Sequence, residues 1–340
     1  MLLNECLRHV MTGGVLTEPD AANLADALID GRLGPAPSAA LLTALRLRGE
    51  SADEIAAFAA ALRSHVRPVG LDPAGIVDTC GTGGDGRGTF NVSTVAAIVA
   101  AAAGCRVAKH GNRAVSSACG SADVLARLGV PVELSPADAV RSIESIGIGF
   151  FLAPRYHDGL QRLAELRREL GFRTILNIVG PLLNPIGVRR QVIGVFERRL
   201  TSVVGEVLLR QGVDHCLVVH GADGTDEITP AGLTHACEVR AGRMVALTIE
   251  PQSLGVPRCV AAELLGGDAA TNAWIALEVL RGQPGAARNM VLLNAGAAIY
   301  VGGRAATLEQ GVRAAARAID TGRAFQKLVA LQTFAAGVAA

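Results

Sequence analysis

Residues 78–94 have the sequence DTCGTGGDGRGTFNVST, in which a short apolar strand ends at Asp78 and runs into a glycine-rich turn and then a helix. Glycines let backbone N–H groups approach phosphate oxygens, and the following helix N-terminus adds unpaired donors and a partial positive charge. Polar side chains that a simple turn does not need follow at once, at Thr89, Asn91, Ser93 and Thr94. The stretch therefore predicts a phosphate-binding loop in an α/β protein.

Short apolar segments alternate with helical stretches over the rest of the chain. The segments predicted as strands are residues 75–78, 105–108, 174–177, 192–195, 216–220 and 289–293. Amphipathic periodicity predicts helices over residues 200–211 and 269–280. Alternation of this kind predicts an α/β fold with a mostly parallel sheet flanked by helices.

The first 66 residues carry only helical patterns. Apolar residues recur at helical spacing over residues 17–29, Pro35 opens a second helix, and Ser51–Glu54 form a capping box for a third. A chain of 340 residues is long enough for two packed units. We therefore expect a helical N-terminal domain, residues 1–66, that is structural or a dimerisation surface, and an α/β domain, residues 67–340, that carries the binding site.

Composition and charge exclude several classes of protein. The net charge of +1 gives no electrostatic basis for binding nucleic acid or an anionic membrane. The seven cysteines are scattered, with neither a CxxC pair nor a His/Cys cluster at zinc spacing. Free cysteines, and an N-terminus without the apolar core of a signal peptide, predict a cytoplasmic protein.

A basic loop follows the strand predicted at residues 105–108. Residues 109–121 have the sequence KHGNRAVSSACGS, in which two cations and several hydroxyl groups suit a multiply phosphorylated ligand. The residues of this loop that are candidates for binding the phosphorylated ligand are Lys109, His110, Gly111, Asn112, Arg113, Ser116, Ser117 and Ser121. Because the carboxyl ends of neighbouring parallel strands meet at one edge of a sheet, we expect this loop to lie beside the first one.

Two adjacent carboxylates, Asp226 and Glu227, follow the strand predicted at residues 216–220, in the sequence HGADGTDEIT of residues 220–229. An isolated pair of this kind is usually only an acidic turn. Beside two phosphate-type loops, however, a divalent cation between the carboxylates and a pyrophosphate would relieve the repulsion between them. The pair therefore predicts a Mg²⁺ site.

Together these elements resemble the anthranilate phosphoribosyltransferases. The motifs GTGGD, TFNVST, KHGNRAVSS, RTILNIVGPLLNP and HGADGTDEIT are similar to that family's motifs and occur in the family's order over nearly the whole chain. The resemblance implies a helical domain joined to an α/β domain of the nucleoside phosphorylase and phosphoribosyltransferase type, and a homodimer. It also implies Mg²⁺-dependent transfer of the phosphoribosyl group of phosphoribosyl pyrophosphate (PRPP) to the amine of anthranilate, in tryptophan biosynthesis.

The resemblance further implies roles for individual residues. Those implied to bind PRPP are Gly81, Gly84, Asp85, Thr89, Asn91, Ser93, Thr94, Lys109, Ser117 and Ser121. Those implied to hold the metal are Ser93, Asp226 and Glu227. Those implied to contact or border the acceptor are Gly81, Asn112, Arg167, Gly180 and Pro181. The guanidinium of Arg167 suits this role because it can bind a carboxylate through two parallel hydrogen bonds.

One stretch departs from the family's pattern. The family has approximately HPAM and then VAPVR before the acceptor arginine, whereas this chain has HDGL at residues 157–160 and LAELR at residues 163–167. Asp158 and Glu165 would disfavour an anionic acceptor unless they point away or pair with an arginine. The candidate partners are Arg162, Arg167 and Arg168.

The expected mechanism needs little acid–base chemistry. Loss of pyrophosphate builds negative charge that Mg²⁺, Lys109 and loop N–H groups can stabilise. The aromatic amine is already neutral, so no dedicated acid or base is assigned, and His110 and His220 are candidates for positioning or proton removal. Three alternatives stay open: another small aromatic amine as acceptor, a pyrimidine nucleoside phosphorylase, and a non-catalytic paralogue that binds nucleic acid.

Overall fold

A computed structural model describes residues 1–114, 118–157 and 163–336. Four residues discussed above, Ser116, Ser117, Asp158 and Arg162, lie outside these ranges. Across the described ranges, the structure contains no helix with the length and apolar character needed to cross a membrane.

The N-terminal part consists of four helices. They are α1 (Leu3–Met11), α2 (Glu18–Ile29), α3 (Pro35–Arg48) and α4 (Ala52–Ser64). The predicted capping box is present at the start of α4, because the Ser51 hydroxyl accepts from the Glu54 N–H at 3.2 Å and the Glu54 carboxylate accepts from the Ser51 N–H at 3.0 Å. Helix α1 is an addition to the predicted elements.

Seven strands form one sheet in the order β3-β2-β1-β4-β5-β6-β7. They are β1 (Ile76–Asp78), β2 (Arg106–Gly111), β3 (Ile148–Leu152), β4 (Arg190–Gly194), β5 (His215–Gly221), β6 (Thr234–Arg240) and β7 (Arg243–Ile249). Strands β3, β2, β1, β4 and β5 are parallel, whereas β6 and β7 are antiparallel to their neighbours. The carboxyl ends of the five parallel strands therefore lie along one edge.

Helices cover both faces of this sheet. They are α5 (Val92–Ala102), α6 (Ser121–Arg127), α7 (Pro136–Ile146), α8 (Ala164–Leu170), α9 (Ile175–Ile178), α10 (Leu200–Arg210), α11 (Ala269–Leu280), α12 (Ala286–Val301), α13 (Leu308–Asp320) and α14 (Arg323–Ala336). Short 3₁₀ helices occur at Ala153–Arg155, Gly180–Leu183, Pro251–Leu254 and Ala261–Leu264.

Three hydrophobic cores pack against the sheet, and the smallest of them involves β1 to β3. Val192 and Leu217 pack in the first core with residues of α5, α12 and α13. Ile193 and Val218 pack in the second core with residues of α1 to α4 and α10. Successive strand residues point to opposite faces, so neighbours in β4 and β5 belong to different cores. The N-terminal helices are thus packed onto one face of the sheet.

Two predicted strands are wrong. Residues 175–178 form the single-turn helix α9, and the Asn177 side chain accepts from the N–H of Thr174, directly before the helix, at 3.1 Å. Residues 289–293 lie within α12, which is buried on nearly all sides from Met290 to Val301. An apolar run buried all round shows no helical periodicity, and a strand and a buried helix then look alike in sequence.

The predicted fold class is confirmed: a small helical N-terminal part precedes a larger α/β part with a mostly parallel sheet flanked by helices. The domain boundary after residue 66 and the dimerisation role of the helices stay predictions.

Candidate active site

A cleft of about 640 Å³ lies at the carboxyl edge of the sheet. Its walls come from the loops after β1, β2 and β5 and from residues near α8, α9 and the following 3₁₀ helix. The predicted site residues that line it are Gly81, Gly84, Asp85, Thr89, Asn91, Ser93, Thr94, Lys109, His110, Gly111, Asn112, Arg113, Ser121, Arg167, Gly180, Pro181, Asp226 and Glu227. The fold therefore brings together every described residue that was predicted to bind PRPP, the metal or the acceptor, whereas their individual roles stay predictions.

The glycine-rich loop is fastened to the end of β4. The N–H and the hydroxyl of Thr82 both donate to the Gly194 carbonyl, at 2.8 and 3.2 Å. A Cβ on Gly81 would lie 3.0 Å from the same oxygen, so a glycine permits this close approach. Gly84 has a φ of 76°, in the left-handed region that glycine adopts without strain. The loop backbone is thus held in place beside the cleft.

Helix α5 begins at Val92, directly behind this loop, and the residues of its first turn, Val92 to Thr94, line the cleft. The N–H of Val92 donates to the Phe90 carbonyl at 2.7 Å, and the N–H of Thr94 donates to the Asn91 carbonyl at 3.2 Å. Asn91 precedes the helix, but its side chain makes no cap; it donates to the Cys119 carbonyl at 3.2 Å and accepts from the Asn272 amide at 2.9 Å. Asn91 therefore ties the first loop to the second. The buried Thr94 hydroxyl has no hydrogen-bond partner within the described residues, which leaves it available to a ligand.

Lys109 is buried at the floor of the cleft. Its ammonium donates to the Thr79 carbonyl at 3.0 Å and to the His110 carbonyl at 3.4 Å. Its positive charge lowers the pKa of the buried carboxyls of Asp78 and Glu227, against the larger opposing effect of burial. The phosphate loops thus converge on a buried cation.

Asp78 joins three segments beneath the cleft. Its Oδ1 accepts from the Thr79 N–H at 2.7 Å and from the His110 N–H at 3.2 Å. Its Oδ2 accepts from the Asn184 amide at 2.9 Å. Because its carboxylate is occupied in this way, Asp78 positions the ends of β1 and β2 and does not face a ligand.

Arg113 borders the cleft, but its guanidinium is engaged elsewhere. Nη2 lies 2.8 Å from Oε1 of Glu133, and Nη1 lies 3.5 Å from Oδ1 of Asp123. The hydrogen bond to Glu133 is the main cause that raises the pKa of Arg113. Arg113 would have to exchange these partners to bind phosphate. Ser121 is also engaged, since its hydroxyl lies 3.1 Å from the N–H and 3.2 Å from the carbonyl of Asn112.

His110 forms a buried pair with His157, in which the two Nε2 atoms are 3.0 Å apart. Burial, followed by the charge of His157 and of Lys109, lowers the pKa of His110 well below its usual value. His110 is therefore neutral at pH 7. Its Nδ1 is buried and has no hydrogen-bond partner within the described residues.

Three carboxylates meet at the opposite wall of the cleft. The Asp226 N–H donates to Oδ2 of Asp85 at 3.3 Å, which brings Asp85 beside the predicted pair. Burial and then the charge of Asp85 raise the pKa of Asp226 to about 7. Burial and then the charge of Asp226 raise the pKa of Glu227 well above its usual range. Such a cluster is stabilised by a bound cation, because a cation removes the repulsion that raises these pKa values.

This arrangement fits Mg²⁺, which prefers oxygen ligands from one or two carboxylates together with substrate phosphates. Asp226 and Glu227 supply the carboxylates, and the Ser93 hydroxyl lies in the same cleft. Asp85 was assigned to PRPP in the sequence, but its contact with Asp226 places it next to the metal residues as well.

Two arginines, Arg167 and Arg173, line the part of the cleft predicted to hold the acceptor. Burial and then the charge of Arg173 lower the pKa of Arg167, and among the described residues Arg167 has neither a hydrogen bond nor an ion pair from its guanidinium. Arg173 donates from Nε to the Gly84 carbonyl at 3.3 Å and faces Asp226 and Asp85. Arg167 is thus a partly buried cation whose donors are free for a carboxylate.

Glu165 points away from this cation. Its Oε1 lies 3.6 Å from Nη2 of Arg168, and both side chains are largely exposed. Glu165 does not line the cleft. The departure from the family's pattern at this position therefore leaves the cleft unchanged, whereas Asp158 lies outside the described residues.

His220 takes no part in the cleft. Its Nδ1 lies 2.8 Å from the Val195 carbonyl, and its ring does not line the cavity. This position does not support the role in positioning or proton removal for which His220 was a candidate.

Several lining residues were not predicted. They are chiefly Cys80, Thr82, Phe90, Ala153, Arg173, Leu176, Asn177, Gly266, Gly267 and Asn272. Arg173 and Asn177 lie within a motif already recognised, RTILNIVGPLLNP, so the motif itself could have identified them. Gly266, Gly267 and Asn272 come from a segment without a motif, and only the fold places them beside Phe90 and Asn91.

Comparisons with known proteins point to one family. Residues 4–66 match the helical bundle domain of the glycosyl transferase family, and residues 73–325 match the a/b domain of that family. An anthranilate phosphoribosyltransferase from Anaeromyxobacter sp. (strain K) is 52% identical over 96% of this chain and 97% of its own.

Solved structures show the same likeness. The anthranilate phosphoribosyltransferase of Thermus thermophilus is 41% identical, with a TM-score of 0.89 over 97% of this chain and 98% of its own. The Saccharomyces cerevisiae enzyme in complex with PRPP and Mg is 26% identical, with a TM-score of 0.88 over 98% of both chains. The chain therefore belongs to the anthranilate phosphoribosyltransferase family.

Proposed function

We propose that this protein transfers the 5-phosphoribosyl group of PRPP to the amine of anthranilate, giving N-(5-phosphoribosyl)anthranilate and pyrophosphate in tryptophan biosynthesis. One observation carries the proposal: a single cleft holds a phosphate-type loop, a buried lysine, a carboxylate cluster and an unpaired arginine. These are the groups needed for a pyrophosphate, its metal ion and a small carboxylated acceptor.

The residues of this chain act mainly by positioning and by electrostatics. The loop N–H groups, the N-terminus of α5 and Lys109 would stabilise the charge that develops on pyrophosphate as the bond to the ribose breaks. Bound Mg²⁺, held by Asp226, Glu227 and Ser93, would supply further positive charge for this leaving group. Arg167 would hold the acceptor carboxylate and so align the amine with the ribose.

Proton removal needs no strong base. The aromatic amine is neutral before it reacts, and its surplus proton can leave after the new bond has formed. His110, neutral and buried at the cleft, supports a positioning role better than that of a charged acid. Leaving-group stabilisation and alignment therefore carry the catalysis in this proposal.

The decisive assay follows the fluorescence of anthranilate in the presence of PRPP and Mg²⁺, beside a panel of uncharged aromatic amines. We expect PRPP-dependent loss of fluorescence and strong discrimination against amines without a carboxylate, because such amines leave Arg167 unpaired. Preference for an uncharged amine would overturn the acceptor assignment. Release of a base from a pyrimidine nucleoside by orthophosphate, without transfer from PRPP, would overturn the reaction itself.

The N-terminal helical part supports a proposal of a homodimer. Several large apolar side chains within residues 1–66 are exposed, among them Leu47 at 82% and Leu2 at 73%. A second copy covering these residues would remove them from water. Light scattering on the wild type and on Leu47→Glu tests this, and a monomeric wild type would refute it. The cytoplasmic location stays a prediction; the seven free cysteines support it.

A further inference from the structure

A second cleft lies at the amino edge of the sheet, away from the active site. β4 and β5 begin there, at Arg190 and His215, and the antiparallel β6 ends there, at Arg240. The cavity measures about 440 Å³ and shares no lining residue with the active-site cleft. The loop between α12 and α13, with Arg304, closes its other side.

Positive charge exceeds negative charge in this second cleft. Three arginines line it, Arg190, Arg240 and Arg304. Asp214 is the carboxylate among its lining residues, and it is shared, because it lies 2.8 Å from Nε of Arg189 and 3.8 Å from Nε of Arg190. The cations that face the cavity therefore outnumber the anions that could neutralise them.

The nearest additional carboxylate, Glu238, is already engaged. Its Oε1 accepts from the Tyr300 hydroxyl at 2.6 Å and lies 2.7 Å from Nε2 of His215. Burial lowers the pKa of His215, so this histidine adds no charge to the cleft at pH 7. Glu238 thus fixes Tyr300 and His215 and is not free to bind all of the surrounding arginines.

The arginine donors are held in place but are not used up. Arg190 donates from Nη1 to the Val301 carbonyl at 2.8 Å, and its buried Nε has no hydrogen-bond partner within the described residues. Arg240 donates to the Tyr300 hydroxyl at 3.2 Å, with its guanidinium carbon 5.7 Å from the centre of the ring. The Arg304 guanidinium has no ion pair or hydrogen bond with any described residue.

We propose that this second cleft binds a phosphate monoester, with the phosphoryl group between the guanidiniums of Arg190, Arg240 and Arg304. Planar guanidiniums with free N–H groups match phosphoryl oxygens in both charge and geometry. A cavity of about 440 Å³ falls in the size range of small-molecule sites and is larger than a free phosphate ion fills. The organic part of the ligand would occupy the remaining space beside Tyr300.

The test is calorimetric titration of the full-length protein with glycerol 3-phosphate, and separately with inorganic phosphate. Arg304→Gln and Arg240→Gln should each weaken the binding of glycerol 3-phosphate by about ten- to a hundredfold, as expected for the loss of a charged hydrogen-bonding group. Arg243→Gln is the matched control, because Arg243 is an exposed arginine on the next strand that does not line the cleft. This control should bind like the wild type.

A further variant separates the second cleft from the active site. Lys109→Ala weakens any phosphate binding in the active-site cleft and should leave a titration that arises from the second cleft intact. Wild-type binding by both Arg304→Gln and Arg240→Gln, or loss of all binding in Lys109→Ala, would overturn the proposal. Tighter binding of inorganic phosphate than of glycerol 3-phosphate would overturn the choice of a monoester. Unchanged melting temperatures and PRPP affinity show that the arginine variants are folded.

Discussion

The N–H of Asp226 donates a hydrogen bond to the carboxylate of Asp85 at 3.3 Å, although the two residues are 141 positions apart. This bond connects the glycine-rich loop after β1 to the acidic loop after β5. It brings a third carboxylate next to Asp226 and Glu227, and the repulsion within the cluster raises the pKa of Asp226 to about 7 after the larger effect of burial. The glycine-rich loop and the predicted metal residues are therefore joined directly.

Asp226→Asn combined with Glu227→Gln should abolish the Mg²⁺ dependence of PRPP binding, because both carboxylate ligands are lost. In the absence of metal, the double variant should melt at a higher temperature than the wild type, since the repulsion among the carboxylates is relieved. Calorimetry with and without Mg²⁺ measures the first effect and thermal unfolding the second. Glu263→Gln, a change at an exposed site, serves as control. Normal stimulation by Mg²⁺ in the double variant would show that the metal lies elsewhere.

Lys109→Ala should lower kcat/KM for PRPP. The expected loss of transition-state stabilisation is about 2–4 kcal/mol, the range for one preorganised electrostatic contact. The Lys109 side chain is buried and lines the cleft, so water that enters in its place does not supply an equivalent positive charge. Lys109→Arg keeps the charge but not the compact shape and should restore only part of the activity. Steady-state kinetics with PRPP as the varied substrate decide the matter. Unchanged kinetics in Lys109→Ala would remove this residue from the mechanism.

Arg167→Gln should raise KM for the acceptor by about ten- to a hundredfold, corresponding to roughly 1.5–3 kcal/mol for a charged hydrogen bond, and should leave KM for PRPP nearly unchanged. Glu165→Gln is the matched control on the same helix: Glu165 is exposed and lies 3.6 Å from Arg168, so its loss should change neither KM. Separate titrations of the two substrates distinguish these results. Equal damage to both KM values in Arg167→Gln would contradict the acceptor role.

His110 should lower the stability as the pH drops below about 6.5, whereas proton uptake by Asp226 in the folded protein acts in the opposite direction. The pKa of His110 in the folded protein lies well below its usual value, chiefly because of burial, so the unfolded chain binds this proton first. Each such histidine removes up to about 1.4 kcal/mol of unfolding free energy per pH unit between its two pKa values. Urea unfolding of the wild type and of His110→Asn at pH 7.5 and pH 5.5 isolates this contribution, because the carboxyl groups are common to both proteins; the variant should lose less stability, or gain more, as the pH falls. An identical pH dependence in both proteins would mean that His110 is protonated in the folded state.

Local patterns predicted the site better than they predicted the sheet. Glycine-rich and polar motifs at strand ends depend on short-range chemistry, so Gly81 to Thr94 and residues 109–121 could be recognised from the sequence. The hairpin of β6 and β7 could not: its turn is Ala241-Gly242, with φ values of 49° and 71°, and it lacks the Asn-Gly or Asp-Gly pattern that marks such turns.

Contacts between distant segments could likewise not be predicted from the sequence. The bond from Asp226 to Asp85 and the bond from Asn272 to Asn91 depend on how the strands are ordered in the sheet. Arg173 lies in a recognised motif, but its position on the Gly84 carbonyl follows only from the fold. Such residues carry no spacing pattern, because the chain separates them by scores of positions.

Two of the hydrophobic cores support different sides of the active-site cleft. Phe90 and Val92, which precede and begin α5, belong to the core shared with α12, whereas Leu176 and Leu182 belong to the core shared with the N-terminal helices. The side of the cleft next to Phe90 and Val92 is therefore packed on a different core from the side next to Leu176. These two cores meet across β4 and β5, where neighbours such as Val192 and Ile193 belong to different cores. We therefore expect a substitution deep in either core, far from the cleft, to shift one side of the cleft relative to the other.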